Sequence, residues 1–155
     1  MRRLPGCDSE CVCYQSVLRH QPWHRACTHQ VMTHRILIVD DDEQLARSYK
    51  EYFTTLGYEV DCALELEEAQ ALLGHFSYSV VITDLRLSRL GFGGLDLVKH
   101  IRELSLQTHV LVLTGYFWPE LKSEAMSHRV DAFVRKPTRM AELAQTVSSL
   151  TGGAA

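Results

Sequence analysis

The chain has 155 residues, 46 % of them apolar, with 16 Lys and Arg against 19 Asp and Glu. That suffices for one ordinary core and reads as one domain, or one domain with a tail. A net charge of −3 with both signs mixed excludes a global field that draws the chain to nucleic acid or an anionic membrane. No apolar run approaches the length of a membrane span.

Residues 1–34 show no clear periodicity and are basic, with Arg2, Arg3, Arg19 and Arg25 against Asp8 and Glu10. The charged start is that of a signal peptide, but no apolar stretch follows it, so a cytoplasmic protein is expected. The composition suits a disordered extension, or one that is not native to the protein. The alternative is a zinc site, since Cys7, Cys11, Cys13, His20, His24, Cys27 and His29 are all ligand types. Their spacing is not that of the usual paired knuckles. The predicted division is an N-terminal extension 1–34, a domain 35–150 and a tail 151–155.

From Arg35 the chain alternates strands and helices. The first strand is predicted at 35–40. A helix follows at 43–55, where Leu45, Tyr49, Tyr52, Phe53 and Leu56 fall close to helical spacing and Gly57 closes the run. Tyr58–Cys62 reads as a second strand, with Cys62 a buried small hydrophobe. Residues 66–73 read as a helix closed by Gly74, and 79–83 as a third strand. Gly91, Gly93 and Gly94 mark a loop before a helix at 95–104. A fourth strand is predicted at 109–113. Pro119 suits the first turn of a helix running to about 128. The fifth strand is predicted at 131–135 and the last helix at 139–150. Short, unalternating apolar runs read as strands covered on both faces. The expected fold is therefore α/β, a doubly wound five-stranded parallel sheet with helices on both faces.

Four polar positions stand where an apolar strand runs out: Asp40-Asp41, Asp84, Thr114 and Lys136. In open parallel sheets ligands bind at the carboxyl ends of the strands. One edge would then gather three carboxylates, a hydroxyl and an ammonium. Clustered carboxylates repel unless a cation holds them charged. Mg²⁺ is the natural cation, with Mn²⁺ a substitute. Asp41 and Asp84 are the expected direct ligands, with Asp40 acting more through water and the Arg86 backbone carbonyl completing the shell. Asp84 is also the best nucleophile, since a carboxylate can attack phosphorus to form an acyl phosphate. Lys136 would neutralise phosphoryl oxygens and Thr114 would donate a hydrogen bond to one of them. A cis bond before Pro137 would help to aim Lys136. Asp42 reads as the start of the first helix.

Val39-Asp40-Asp41-Asp42, Asp84, Thr114-Gly115 and Lys136-Pro137 together resemble the receiver domain of two-component response regulators, with its flavodoxin-like fold. The resemblance covers about residues 35–150, with every motif in order. It implies Mg²⁺-dependent transfer of phosphate to Asp84 from a sensor histidine kinase or phosphotransfer protein. It implies a shift of Thr114 toward the phosphate and a rotating aromatic at Phe133. The fourth helix, fifth strand and fifth helix would then engage a downstream partner, or drive a phosphorylation-dependent dimer. The resemblance does not imply a turnover enzyme, beyond phosphorylation from a donor and slow self-dephosphorylation. Two departures stand out. Ser88 replaces the Pro usual four residues after the acceptor, and the loop through Arg89–Gly94 is about two residues longer than usual. Arg86 and Tyr116 are expected to screen the acyl phosphate from water.

After the last helix only Thr151–Ala155 remain. A stand-alone, chemotaxis-receiver-like protein without a DNA-binding domain is expected, with loss of an output domain after Gly152-Gly153 the other reading. The enzyme alternative is a haloacid-dehalogenase-type phosphatase, whose nucleophile would follow the first strand as Asp-x-Asp-x-Thr/Val. Asp40–Gln44 lacks that final residue. A further alternative is a receiver fold that is never phosphorylated and acts as an interaction module.

Overall fold

A computed structural model of the chain describes residues 34–87, 93–104, 107–115 and 119–152. The Cys/His-containing extension, Ser88 with its loop, and Tyr116 lie outside the described residues. Ten elements alternate: β1 (Arg35–Val39), α1 (Glu43–Thr55), β2 (Glu59–Ala63), α2 (Leu66–His75), β3 (Val80–Thr83), α3 (Gly93–Leu104), β4 (His109–Thr114), α4 (Pro119–Ser127), β5 (Ala132–Arg135) and α5 (Met140–Leu150). The strands pair in parallel in the order β2-β1-β3-β4-β5. Among the described residues no helix is long and apolar enough to cross a membrane.

Alternate residues of the same strand bury into different cores, which is why the apolar runs do not alternate with polar residues. Ile36, Ile38, Val80, Ile82, Leu111 and Leu113 pack with Ala46, Tyr49 and Phe53 of α1 and Leu143 and Val147 of α5. Leu37, Val39, Val81, Val110 and Val112 pack on the opposite face with Ala69 of α2, Leu97, Val98 and Ile101 of α3 and Ala125 of α4.

The helix ends show where local signals work and where they mislead. Asp42 caps α1, its side chain accepting from the Leu45 amide at 3.0 Å. At the other end Gly57 takes φ +90°, its amide donating to Thr54 O and that of Tyr58 to Phe53 O. That is a Schellman closure, and the Phe53 and Tyr58 rings meet edge-on at 5.7 Å. Gly74, expected to close α2, lies inside it, because the helix runs on to His75 and ends on an extended Phe76. Gly93 and Gly94, expected in a loop, form the first turn of α3. The second strand is displaced by one residue, to Glu59–Ala63, and Cys62 is half-buried with its thiol 3.6 Å from Ala46 O.

Candidate functional site

The sheet order reverses between β1 and β3, so the crevice at their carboxyl ends is the topological switch point. Val39 pairs with Thr83, and the next residues, Asp40 and Asp84, leave the sheet side by side. Thr114 pairs with Arg135, which places Lys136 just beyond the β4 and β5 ends. Backbone bonds fix all three positions: the Asp40 amide donates to Ala63 O, Asp84 to Val39 O and Lys136 to Thr114 O.

Asp40 is 3 % exposed, Asp84 9 % and Thr114 1 %. A carboxylate so placed is costly unless paired. The Lys136 ammonium supplies the pairing, donating to Asp40 Oδ2 at 2.5 Å and to Asp84 Oδ2 at 2.9 Å. The other two oxygens accept backbone amides, Asp40 Oδ1 from Asp42 at 3.0 Å and Asp84 Oδ1 from Arg86 at 3.1 Å. Burial pushes the Asp40 carboxyl above its ordinary range, against the pull of Lys136 and the Asp42 amide. Burial also opposes the charge on Lys136, but its hydrogen bonds to Asp40 and Asp84 outweigh that and hold the ammonium above its ordinary value. The peptide bond from Lys136 to Pro137 is cis.

The structure thus brings Asp40, Asp84 and Lys136 together, with Thr114 buried beside Lys136 in the backbone ladder. Asp41 is exposed, at the turn between buried Asp40 and the helix cap Asp42. Among the described residues no group of three or more His, Cys, Asp or Glu side chains is already gathered as a metal cluster. Arg86 is half-buried, with its amide turned to Asp84. Phe133 is half-buried against the core beneath α2, α3 and α4. Two residues that sequence reasoning missed adjoin Asp84. Buried Thr83 donates its hydroxyl to Asp84 O at 2.9 Å, and Gly94 packs against the Asp84 peptide.

Two carboxylates sharing one ammonium leave a net negative site of hard oxygen donors. Mg²⁺ is commonly held by one or two carboxylates together with waters and phosphate oxygens. The residues present fit such a cation, with Asp40 and Asp84 in the crevice and Asp41 at its rim.

Residues 36–148 match the family described as the response regulator receiver domain. The transcriptional regulatory protein PmrA of Pectobacterium parmentieri is 34 % identical over 116 residues, covering 75 % of this chain and 51 % of that protein. The chain spans about half the length of the curated relatives it matches first. A CheY-like receiver domain from Methanospirillum hungatei is 26 % identical with a TM-score of 0.74, covering 77 % of this chain and 94 % of the other. A Burkholderia pseudomallei response regulator, solved with a phosphorylated aspartic acid, calcium ion and citrate, is 25 % identical with a TM-score of 0.69. That match covers 77 % of this chain and 69 % of the other.

Proposed function

The chain belongs to the receiver domain family of response regulators, the two-component signalling class, and we propose that Asp84 is the residue through which this receiver accepts phosphate. The observation that carries the reading is the Lys136 ammonium bridging Asp40 Oδ2 and Asp84 Oδ2 at the switch point. A carboxylate so held is aimed, and the cation that aims it is already where phosphoryl oxygens would arrive. A carboxylate oxygen of Asp84 forms the new P–O bond as the donor's bond to phosphorus breaks. The bonding pair leaves with the donor, which for a phosphohistidine is an imidazole that takes up a proton. Lys136 pairs with one phosphoryl oxygen and the Thr114 hydroxyl donates to another.

A Mg²⁺ ion (or Mn²⁺) held by Asp40, Asp41, Asp84 and the Arg86 carbonyl would neutralise the remaining phosphoryl charge. The donor set supports this, as does the calcium ion in the phosphorylated Burkholderia relative. Arg86, and Tyr116 outside the described residues, slow hydrolysis by screening the phosphate. Phe133, half-buried in β5, couples the site to the face formed by α4, β5 and α5, where a downstream protein or a second copy docks. The phosphate donor is a sensor histidine kinase or a phosphotransfer protein in the cytoplasm. The domain runs over 35–150, preceded by the extension 1–34. The match to receiver domains gives no support to the haloacid-dehalogenase-type alternative.

Intact mass after incubation with Mg²⁺ and acetyl phosphate tests the reading. Wild type gains one phosphoryl group, Asp84→Asn gains none, and a chelator abolishes the gain. Equal labelling of both proteins, or none on rapidly quenched wild type, contradicts it.

A further inference from the structure

The backbone of Asp84 is held as closely as its carboxylate. Its carbonyl oxygen accepts from Thr83 Oγ1 at 2.9 Å, and Thr83 is 0 % exposed. Gly94, in the first turn of α3, packs against the same peptide. A Cβ at Gly94 would stand 1.9 Å from Asp84 O, 2.8 Å from Asp84 C and 2.6 Å from Leu85 Cα. The obstructing atoms are all backbone, so no side chain can swing aside to make room. The Gly94 amide also donates to Leu85 O at 3.2 Å. Gly93 differs: a Cβ there would meet only Leu87 Cβ, at 3.5 Å, an ordinary contact. Of two successive glycines, only Gly94 is demanded by the chain it faces.

The peptide between Asp84 and Leu85 sets the path of the turn that brings the Arg86 amide back to Asp84 Oδ1. Rotating that peptide would carry Oδ1 off the amide and disturb the aim of Oδ2 at Lys136. A misplacement of ~1 Å in a reacting group costs on the order of 100-fold in rate. We infer that Thr83 and Gly94 are positioning residues for the phosphoacceptor, a brace from the end of β3 to the start of α3 that fixes the Asp84 peptide. The inference rests on Asp84 being the acceptor. It adds that the reactivity of Asp84 is set partly by a helix terminus carrying no charged group of the site.

The test compares Thr83→Val, which removes the hydroxyl at nearly constant shape, with Gly94→Ala. Gly74→Ala serves as control, because a Cβ at Gly74 meets nothing within 4 Å. Two quantities are read per folded molecule: the rate of phosphorylation by acetyl phosphate at saturating Mg²⁺, and the amide NMR shift of Arg86. A residue that only stabilises the fold would move the melting temperature and neither of these. Gly94→Ala is expected to slow phosphorylation by ~10- to 100-fold. Thr83→Val should slow it several-fold, the Arg86 amide should move in both, and Gly74→Ala should match wild type. A Thr83→Val protein with an unchanged rate or an unmoved Arg86 amide overturns the inference, and decides the question if Gly94→Ala does not fold. If wild type takes up no phosphate, the acceptor reading fails and the Arg86 amide alone decides: displaced, the brace stands; unmoved, it falls.

Discussion

At the amino edge of the sheet, Arg102 of α3 donates to Thr108 O at 2.6 Å, Arg129 O at 2.5 Å and His128 O at 3.4 Å, and to Asp131 Oδ2 at 2.9 Å. Asp131 also accepts the Val110 amide at 2.8 Å and faces His109 Nδ1 at 3.2 Å. At the carboxyl edge a single ammonium divides itself between two buried carboxylates. A guanidinium with five donors can satisfy a cluster of carbonyls and one acid completely. An ammonium between two acids leaves one negative charge over. The first arrangement ties α3, β4 and the turn before β5 together. The second withholds stability at the edge proposed to take a cation and a phosphoryl group.

Breaking the amino edge should have the largest effect. Arg102→Met leaves the Thr108, His128 and Arg129 carbonyls and Asp131 short of donors, and should cost about 3 kcal/mol. Melting would fall by about 10 °C for a domain of this size. Chemical denaturation showing a loss below about 1 kcal/mol would mean that this edge is not the structural one.

The carboxyl edge should respond to metal instead. Mg²⁺ at ten times its dissociation constant should raise stability by about 1.4 kcal/mol. Asp84→Asn should be more stable than wild type without metal and should lose most of the Mg²⁺ increment. Identical melting with and without Mg²⁺ would contradict the excess negative charge assigned to this edge.

The acids of the two edges should also titrate with opposite signs. Burial opposes the charge on Asp131, but the Val110 amide, His109 and Arg102 outweigh it and hold its carboxyl below the ordinary value of 3.8. Its contribution is present above 3.8 and is lost as pH falls through the lowered folded value. Asp40, raised above 3.8 foremost by burial, does the reverse. Its contribution is full below 3.8 and is lost as pH rises through the raised folded value. Stability of wild type relative to Asp131→Asn should therefore grow with pH, and relative to Asp40→Asn should shrink. Urea unfolding across the acid range in metal-free buffer reads both slopes, and slopes of equal sign would dissolve the contrast. The smallest effect lies away from both edges. Gly74→Ala, in an exposed helical turn with open space, should add about 0.5–1 kcal/mol, and an unchanged midpoint of denaturation would contradict it.

The carboxyl edge was largely legible in the chain itself. Strands end where apolar runs end, so Asp40, Asp84, Thr114 and Lys136 could be placed at one rim before any coordinates. Asp40 is buried and Asp41 exposed, and adjacency in sequence does not decide which of two neighbouring acids turns inward. Gly57, Gly74 and Gly94 show the same limit. One supplies a left-handed cap, one sits unused in a helix, and one is demanded by a peptide ten residues away. Only tertiary contact separates these cases. Thr83 read as the last residue of a strand, since its acceptor is a carbonyl and carries no pattern. The amino-edge network was equally silent: Arg102 looks like any surface arginine until three carbonyls converge on it.

The central claim is that Asp84 carries the phosphate, and borohydride trapping locates it. The protein is phosphorylated with acetyl phosphate and Mg²⁺, reduced, digested and mapped by mass spectrometry. Reduction of an acyl phosphate converts the aspartate into homoserine. The account predicts homoserine at position 84 alone, absent without Mg²⁺. Homoserine at 40 or 41, or a phosphate that survives reduction on a histidine or a hydroxyl, would contradict it.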